Sequence, residues 1–184
     1  AVFGTALIKI IAEMFAKKEE GKLKYFVVET LKFSLLACFV AFMIVFSLRE
    51  NISGSLNIGD TFLIVLFGAT IGVSFCLVVP NSYLQGVQEF KKYSFFHILT
   101  MVNRFVFPTI LVFMGLGLRG VFTAFPVAST VSFIVGIFMI GINIKNIKKE
   151  DISKYSKKLL SFSSSVVLVN FSLMALNNID LIMV

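Results

Sequence analysis

The charged residues of this chain gather in a few short clusters. Between the clusters run apolar stretches of about twenty residues, the length of helix that crosses ~30 Å of hydrocarbon. Of 184 residues, 58% are hydrophobic and only 15% charged, where a soluble domain carries roughly a quarter charged. Backbone in lipid must satisfy its own hydrogen bonds, and these stretches are too long and too evenly apolar for barrel strands. The sequence therefore predicts an all-α fold, a polytopic transmembrane helix bundle. It opens on AVFGTALIKIIAE and closes on IDLIMV, both inside apolar stretches and without a secretory leader. That pattern predicts a piece of a longer protein, cut within one membrane helix at each end.

Six segments are expected, over residues 1–13, 26–48, 61–84, 94–116, 120–143 and from 159 to 184. Lys and Arg orient such a bundle, because cytoplasmic loops carry the excess of both. AKKEEGKLK holds Lys17, Lys18, Lys22 and Lys24, whereas SLRENISGSLNIGD holds only Arg49. QEFKKYS brings Lys91 and Lys92, GLGLRG only Arg119, and KNIKKEDISKYSKK six lysines from Lys145 to Lys158. Rich and poor connections alternate. This places 14–25, 88–93 and 144–158 on the cytoplasmic side of a multi-pass cell-membrane protein. The net charge of +7 is that asymmetry, so no nucleic-acid partner is expected. In the last connection Ile144, Ile147, Ile152, Tyr155 and Leu159 recur at near-helical spacing among lysines. Two arrangements suit them: an amphipathic helix on an anionic leaflet, or a solvated basic loop that only fixes topology.

Inside the membrane segments, GATIG at 68–72 is a small-xxx-small pattern that lets helices approach closely. Pro80, Pro108 and Pro126 each fall within an expected helix and remove a donor there, which predicts kinks or local breaks. Cys38 and Cys76 lie in apolar runs, as small buried hydrophobes do. With one His, no glycine-rich phosphate loop, no nucleophile elbow and no metal-ligand spacing, the chain predicts neither an enzyme nor a metal or cofactor site.

One apolar run breaks the pattern. HILTMVNRFVFPTILVF, residues 97–113, carries Arg104 near its middle. Ten residues after Ser94 is roughly 15 Å into the bilayer, where an arginine costs about 2.5–3.5 kcal/mol and must face protein or water. His97, Thr100, Arg104 and Pro108 share one helix face, with Asn103 beside them. Either Arg104 pairs with a carboxylate, from Asp60, Glu50, Glu29 or Asp180, none of them at its depth, or from a helix outside this sequence, or it lines a watery cavity and attracts an anion such as phosphate. A second stripe, Ser163, Asn170 and Asn177, recurs every seven residues, with Asn178 and Asp180 close by. It suits interhelical hydrogen bonding or a cavity wall.

Three stretches carry a resemblance: GTALIKIIAEMFAKKEEGKLK, NSYLQGVQEFKKYS and LLSFSSSVVLVNFSLMALNNIDLIMV. In this order they resemble the polysaccharide flippase family, exporters of lipid-linked oligosaccharide within the superfamily that includes the MATE drug exporters. The family has a small-residue helix end running into Ala-Glu and a basic loop, then a Leu-Gln-Gly aromatic-basic turn, then a Ser-rich helix ending Asn-Asn-Ile-Asp. It often has a proline early in its seventh helix, where this chain has Ser163, Ser164 and Ser165.

The resemblance implies about half of a two-lobed MATE-like transporter. Residues 1–143 would run from the end of the second helix through the sixth, 144–158 would be the cytoplasmic linker, and 159–184 would open the C-terminal lobe. It implies alternating access, a lipid bilayer, a lipid-linked oligosaccharide substrate and a coupling ion. The substrate contacts would be Arg104, His97, Thr100, Asn103, Asn170, Asn177 and Asp180. Rival readings are a MATE-like cation-coupled drug exporter, a polytopic enzyme of glycolipid synthesis and a non-transporting structural subunit.

Overall fold

The computed structural model describes residues 2–56, 60–141, 150–153, 155, 158 and 159. No strand occurs among them. The helices are α1 (Val2–Ala16), α2 (Glu20–Ser47), α3 (Arg49–Leu56), α4 (Thr61–Gly86), α5 (Phe90–Leu111) and α6 (Gly117–Ile140). A π-helical turn, Val112–Leu116, joins α5 to α6. The sixth expected segment, 159–184, lies outside the described residues apart from Leu159.

Glu20–Ser47, Thr61–Gly86 and the stretch Phe90–Ile140 are long and apolar enough to cross a membrane. The large side chains point the way lipid demands. Phe105, Phe113 and Phe138 are 74%, 87% and 79% exposed, while Gly68, Gly72, Cys76, Ala124, Ala128 and Gly136 are buried. The chain is a multi-pass helical membrane protein.

The expected segments differ from the helices chiefly at their ends. α2 starts at Glu20, not 26, because its lysines stay on the helix: Lys22 pairs with Glu19 at 3.1 Å and Lys24 with Glu20 at 4.0 Å. α5 starts at Phe90, with Lys92 held 2.8 Å from Glu89. The hairpin between α5 and α6 turns at Gly115 and Gly117, with φ of 84° and 53°, a backbone that glycine adopts at least cost. α3, in the stretch read as a polar connection, was not expected. All three prolines sit inside helices.

Packing converges on α4. A Cβ on Gly68 would lie 2.7 Å from Val45 Cγ1, and one on Gly72 would lie 2.9 Å from the Cys38 carbonyl oxygen. The thiol of Cys76 faces the Ser34 carbonyl at 3.7 Å. These pairs run in opposite directions, so α2 is antiparallel to α4, and the small-xxx-small pattern is where the two meet. α6 packs on α4 where Gly136 faces Pro80. It runs antiparallel to α5, as Leu111–Gly120, Asn103–Ser132 and Phe96–Gly136 show. At one end of the bundle Arg119 pairs with Asp60 at 2.7 Å. The turns 17–19 and 87–89 share the other end, where Phe15, Lys18 and Lys24 line a common cavity with Tyr83 and Val87.

Those two turns are copies of one another, seventy residues apart. Among the described residues, Lys18 and Gln88 are the non-glycine residues with positive φ, 57° and 62°. Glu19 N donates to the Met14 carbonyl and Glu89 N to the Leu84 carbonyl, both at 3.1 Å. Lys22 pairs with Glu19 as Lys92 pairs with Glu89. Phe26 and Phe96 are buried, and Thr30 and Thr100 each donate to those phenylalanines' carbonyls at 2.8 Å. The α1–α2 and α4–α5 hairpins are therefore a structural repeat.

The first copy carries an attachment. The Tyr155 hydroxyl donates to Glu19 at 2.8 Å, Lys158 pairs with Glu13, and a Cβ on Gly21 would fall on the Glu150 carboxylate. Ile152, Tyr155 and Leu159 pack against the α1–α2 core, so these three apolar residues of the expected amphipathic segment meet protein. Ile144 and Ile147 lie outside the described residues. The Tyr155 hydroxyl, then Lys22, holds the Glu19 carboxyl below its ordinary value. The bond to Glu19, then burial, holds the Tyr155 phenol above its own.

A lowered carboxyl stabilises the attachment above the usual carboxylate range and stops doing so as pH falls. A raised phenol contributes below about pH 10 and stops as pH rises. Spin labels at Lys18→Cys and Ser153→Cys, with Cys38 and Cys76 replaced by Ala, should give a narrow distance at pH 7. The distribution should broaden only as pH falls well below the usual carboxylate range, where Glu19 and the Glu13 that holds Lys158 both lose their charge, and Tyr155→Phe should broaden it at pH 7.

Candidate functional site

Leu77 and Asn81 of α4 and Phe96, His97, Thr100, Met101 and Arg104 of α5 line a groove of about 220 Å³. Spacing alone puts His97, Thr100 and Arg104 one above another, since three and four residues return to one helix face. α4 closes the far wall, and Asn81 stands on it one residue after Pro80. His97 packs edge-on against Tyr93, with centroids 5.8 Å apart. Thr100 spends its donor on the Phe96 carbonyl at 2.8 Å, so its hydroxyl faces the groove as an acceptor.

Arg104 is exposed and pairs with no carboxylate among the described residues. The carboxylates expected to compete for it are engaged elsewhere. Asp60 holds Arg119 at 2.7 Å, Glu50 lies 3.9 Å from Arg49, and Glu29 lies 3.3 Å from Lys32. Asp180 lies outside the described residues. Because α5 starts at Phe90, Arg104 sits about 21 Å along the helix from the lysine-rich end, and about 10 Å short of Leu111. It is still within the span.

The repeat supplies a control inside the same molecule. The groove positions Leu77, Asn81, Phe96, His97, Thr100, Met101 and Arg104 match Leu7, Ile11, Phe26, Val27, Thr30, Leu31 and Ser34. In the first hairpin the aliphatic part of this seam is closed, while Phe26 and Thr30 border a separate cavity of about 400 Å³ beside Glu29 and Lys32. Leu7, Ile11, Phe26 and Val27 belong to one buried cluster with Leu31 packed on it, and Ser34 is buried with its hydroxyl on the Leu31 carbonyl. Two hairpins of one design thus differ at three consequential places: Ile11 against Asn81, Val27 against His97, and Ser34 against Arg104. The hairpin does not need an amide, an imidazole or a guanidinium there.

Asn103 takes another direction. Its Nδ2 donates to Ser132 Oγ on α6 at 3.2 Å, which turns it away from the groove. Asn170 and Asn177 lie outside the described residues, as does Asp180. Asn81 was not singled out by the sequence, because one Asn beside a proline in an apolar run carries no periodic signal. The repeat would have found it, since aligning EEGKLKYF with EFKKYSFF sets Asn81 against Ile11. Among the described residues no group of three His, Cys, Asp or Glu could hold a metal ion. No family model, curated protein or solved structure matches the chain.

Proposed function

We propose that this chain is part of a flippase that moves a lipid-linked, pyrophosphate-bearing oligosaccharide across the cytoplasmic membrane by alternating access. The groove between α4 and α5 receives the anionic head. The observation that carries the reading is an arginine within a membrane span, free of carboxylates among the described residues, in a groove where the repeat counterpart of Asn81 and His97 is the aliphatic pair Ile11 and Val27. A guanidinium presents five donors and no acceptor, and binds phosphate oxygens two at a time. The groove suits a phosphate-sized head, with the glycan outside it. In this reading the described helices belong to the N-terminal lobe of a MATE-like transporter, the lysine-rich end faces the cytoplasm, and the residues after Leu159 open the second lobe. The motif order that resembles the polysaccharide flippases supports the same assignment.

Translocation of lipid-linked oligosaccharide by the full-length protein in liposomes tests it. Arg104→Ala should abolish transport and Arg104→Lys should keep part of it, with melting temperatures unchanged. Ion-dependent movement of small organic cations, with no glycolipid moved, would contradict the proposal.

A further inference from the structure

In the groove that holds Arg104, the side chain able to change its charge near neutral pH is His97. It is exposed and lines the groove from α5, about two helical turns from Arg104 toward the lysine-rich end. Its ring meets the Tyr93 ring edge-on, and neither ring nitrogen has a hydrogen-bond partner among the described residues. The matching place in the first hairpin holds Val27, buried in the core. An imidazole passes from neutral to cationic between pH 8 and pH 5, and goes from one donor to two.

The surroundings decide what a proton on His97 meets. α4, α5 and α6 contain no Asp or Glu. From α4 the groove presents Leu77 and Asn81. Tyr83, Tyr93 and, from α6, Phe133 and Met139 pack on the adjoining cluster of Leu77, Leu84 and Phe96. Phenols and guanidinium groups do not ordinarily change charge between pH 5 and 8, and Glu89, where α5 begins, is held by Lys92. A second positive charge in this groove thus has no carboxylate on the three helices to balance it, and gains a counter-charge when an anion is bound. The two residues stand about 10 Å apart along α5. Long side chains on a helix lean toward its N-terminus, which turns the Arg104 side chain toward His97.

We propose that His97 is a proton-linked anion ligand. When an anion with two charges binds at Arg104, a proton from solvent joins the free ring nitrogen of His97, and the imidazolium faces the second charge. The groove therefore prefers a pyrophosphate diester to a phosphate diester, and holds it more tightly as pH falls. This inference rests on the anion reading of Arg104.

The test is calorimetric titration of the full-length protein in detergent with two probes, symmetrical dimethyl pyrophosphate and dimethyl phosphate. They carry two charges and one, fixed between pH 5 and 8, so a proton taken up on binding goes to the protein. Buffers of different ionisation heat count that proton. Wild type should take up a proton with the pyrophosphate probe and bind it about tenfold more tightly at pH 5.5 than at pH 8. At pH 5.5 it should bind dimethyl phosphate more weakly. His97→Gln and His97→Val, the latter taken from the matching place in the first hairpin, should take up no proton and bring the pH ratio to within about twofold. Wild type without uptake, equal affinity for the two probes at pH 5.5, or variants that keep the uptake overturn the inference and leave the anion site standing. Should wild type bind neither probe, or Arg104→Ala bind the pyrophosphate probe as well as wild type does, the anion reading falls and this inference with it.

Discussion

Closing the groove by copying the first hairpin is expected to produce a stable protein that has lost its ligand. The variant combines Asn81→Ile, His97→Val and Arg104→Ser, each taken from the matching position of the first hairpin. The Asn81 acceptor is buried with no partner among the described residues, which costs about 1–3 kcal/mol, and an arginine in a membrane span costs more still. Removing both should hold the melting temperature in detergent at or above that of wild type. Ligand binding should fall by about a hundredfold or more, the scale on which removing a charged, hydrogen-bonded contact acts. A variant that fails to fold would show that Asn81, His97 and Arg104 belong to the frame of the bundle. The separation of stability from binding is what distinguishes a site from a strut.

The largest expected loss of stability lies elsewhere, at Gly72. A Cβ there meets the Cys38 carbonyl oxygen at 2.9 Å and the Cys38 sulfur at 3.0 Å. The carbonyl is backbone within α2, so it cannot give way by changing rotamer; the whole helix must retreat. Gly72→Val should therefore destabilise the bundle by about 2–3 kcal/mol, the upper range for overpacking. Gly54 offers the control. Nothing lies within 4 Å of a Cβ built on it, and Gly54→Val should stay within about 0.5 kcal/mol, as for an ordinary surface change. Thermal unfolding of both variants in one detergent checks the contrast. Equal melting temperatures would mean that α2 does not press on α4 through Gly72.

The helices were legible in the sequence because lipid imposes a length and a polarity that few other sequences meet. Their ends were less so. Lys22, Lys24 and Lys92 are charged, which suggested loop, yet each pairs with a carboxylate three or four residues away and stays helical. α3 escaped notice because RENISGSL carries no apolar stripe. In the site, the face shared by His97, Thr100 and Arg104 follows from helical spacing, and the structure brings those three to one groove. Asn103 had been grouped with them as a neighbour in sequence. Adjacent residues on a helix point about 100° apart, and its amide reaches Ser132 on α6 instead. Asn81 comes from another helix, and only the repeat of hairpins marks it. That repeat is short, interrupted by substitutions at the very positions that differ in role, and easily passed over without the matched turns at Lys18 and Gln88.

The account turns on whether the α4–α5 groove is open and holds the glycolipid while its α1–α2 twin does not. Thr100→Cys and Thr30→Cys occupy the same position in the two hairpins. Each can be placed in full-length protein whose Cys38 and Cys76 are replaced by Ala. The measurement is the rate of alkylation by a small charged thiol reagent, with and without lipid-linked oligosaccharide. The expected result is that Thr100→Cys reacts readily and is slowed several-fold by the glycolipid, while Thr30→Cys, which borders a separate cavity with Glu29 and Lys32, reacts at a rate that the glycolipid does not change. Equal inertness of the two positions, or a Thr100→Cys rate that the glycolipid does not change, would contradict it.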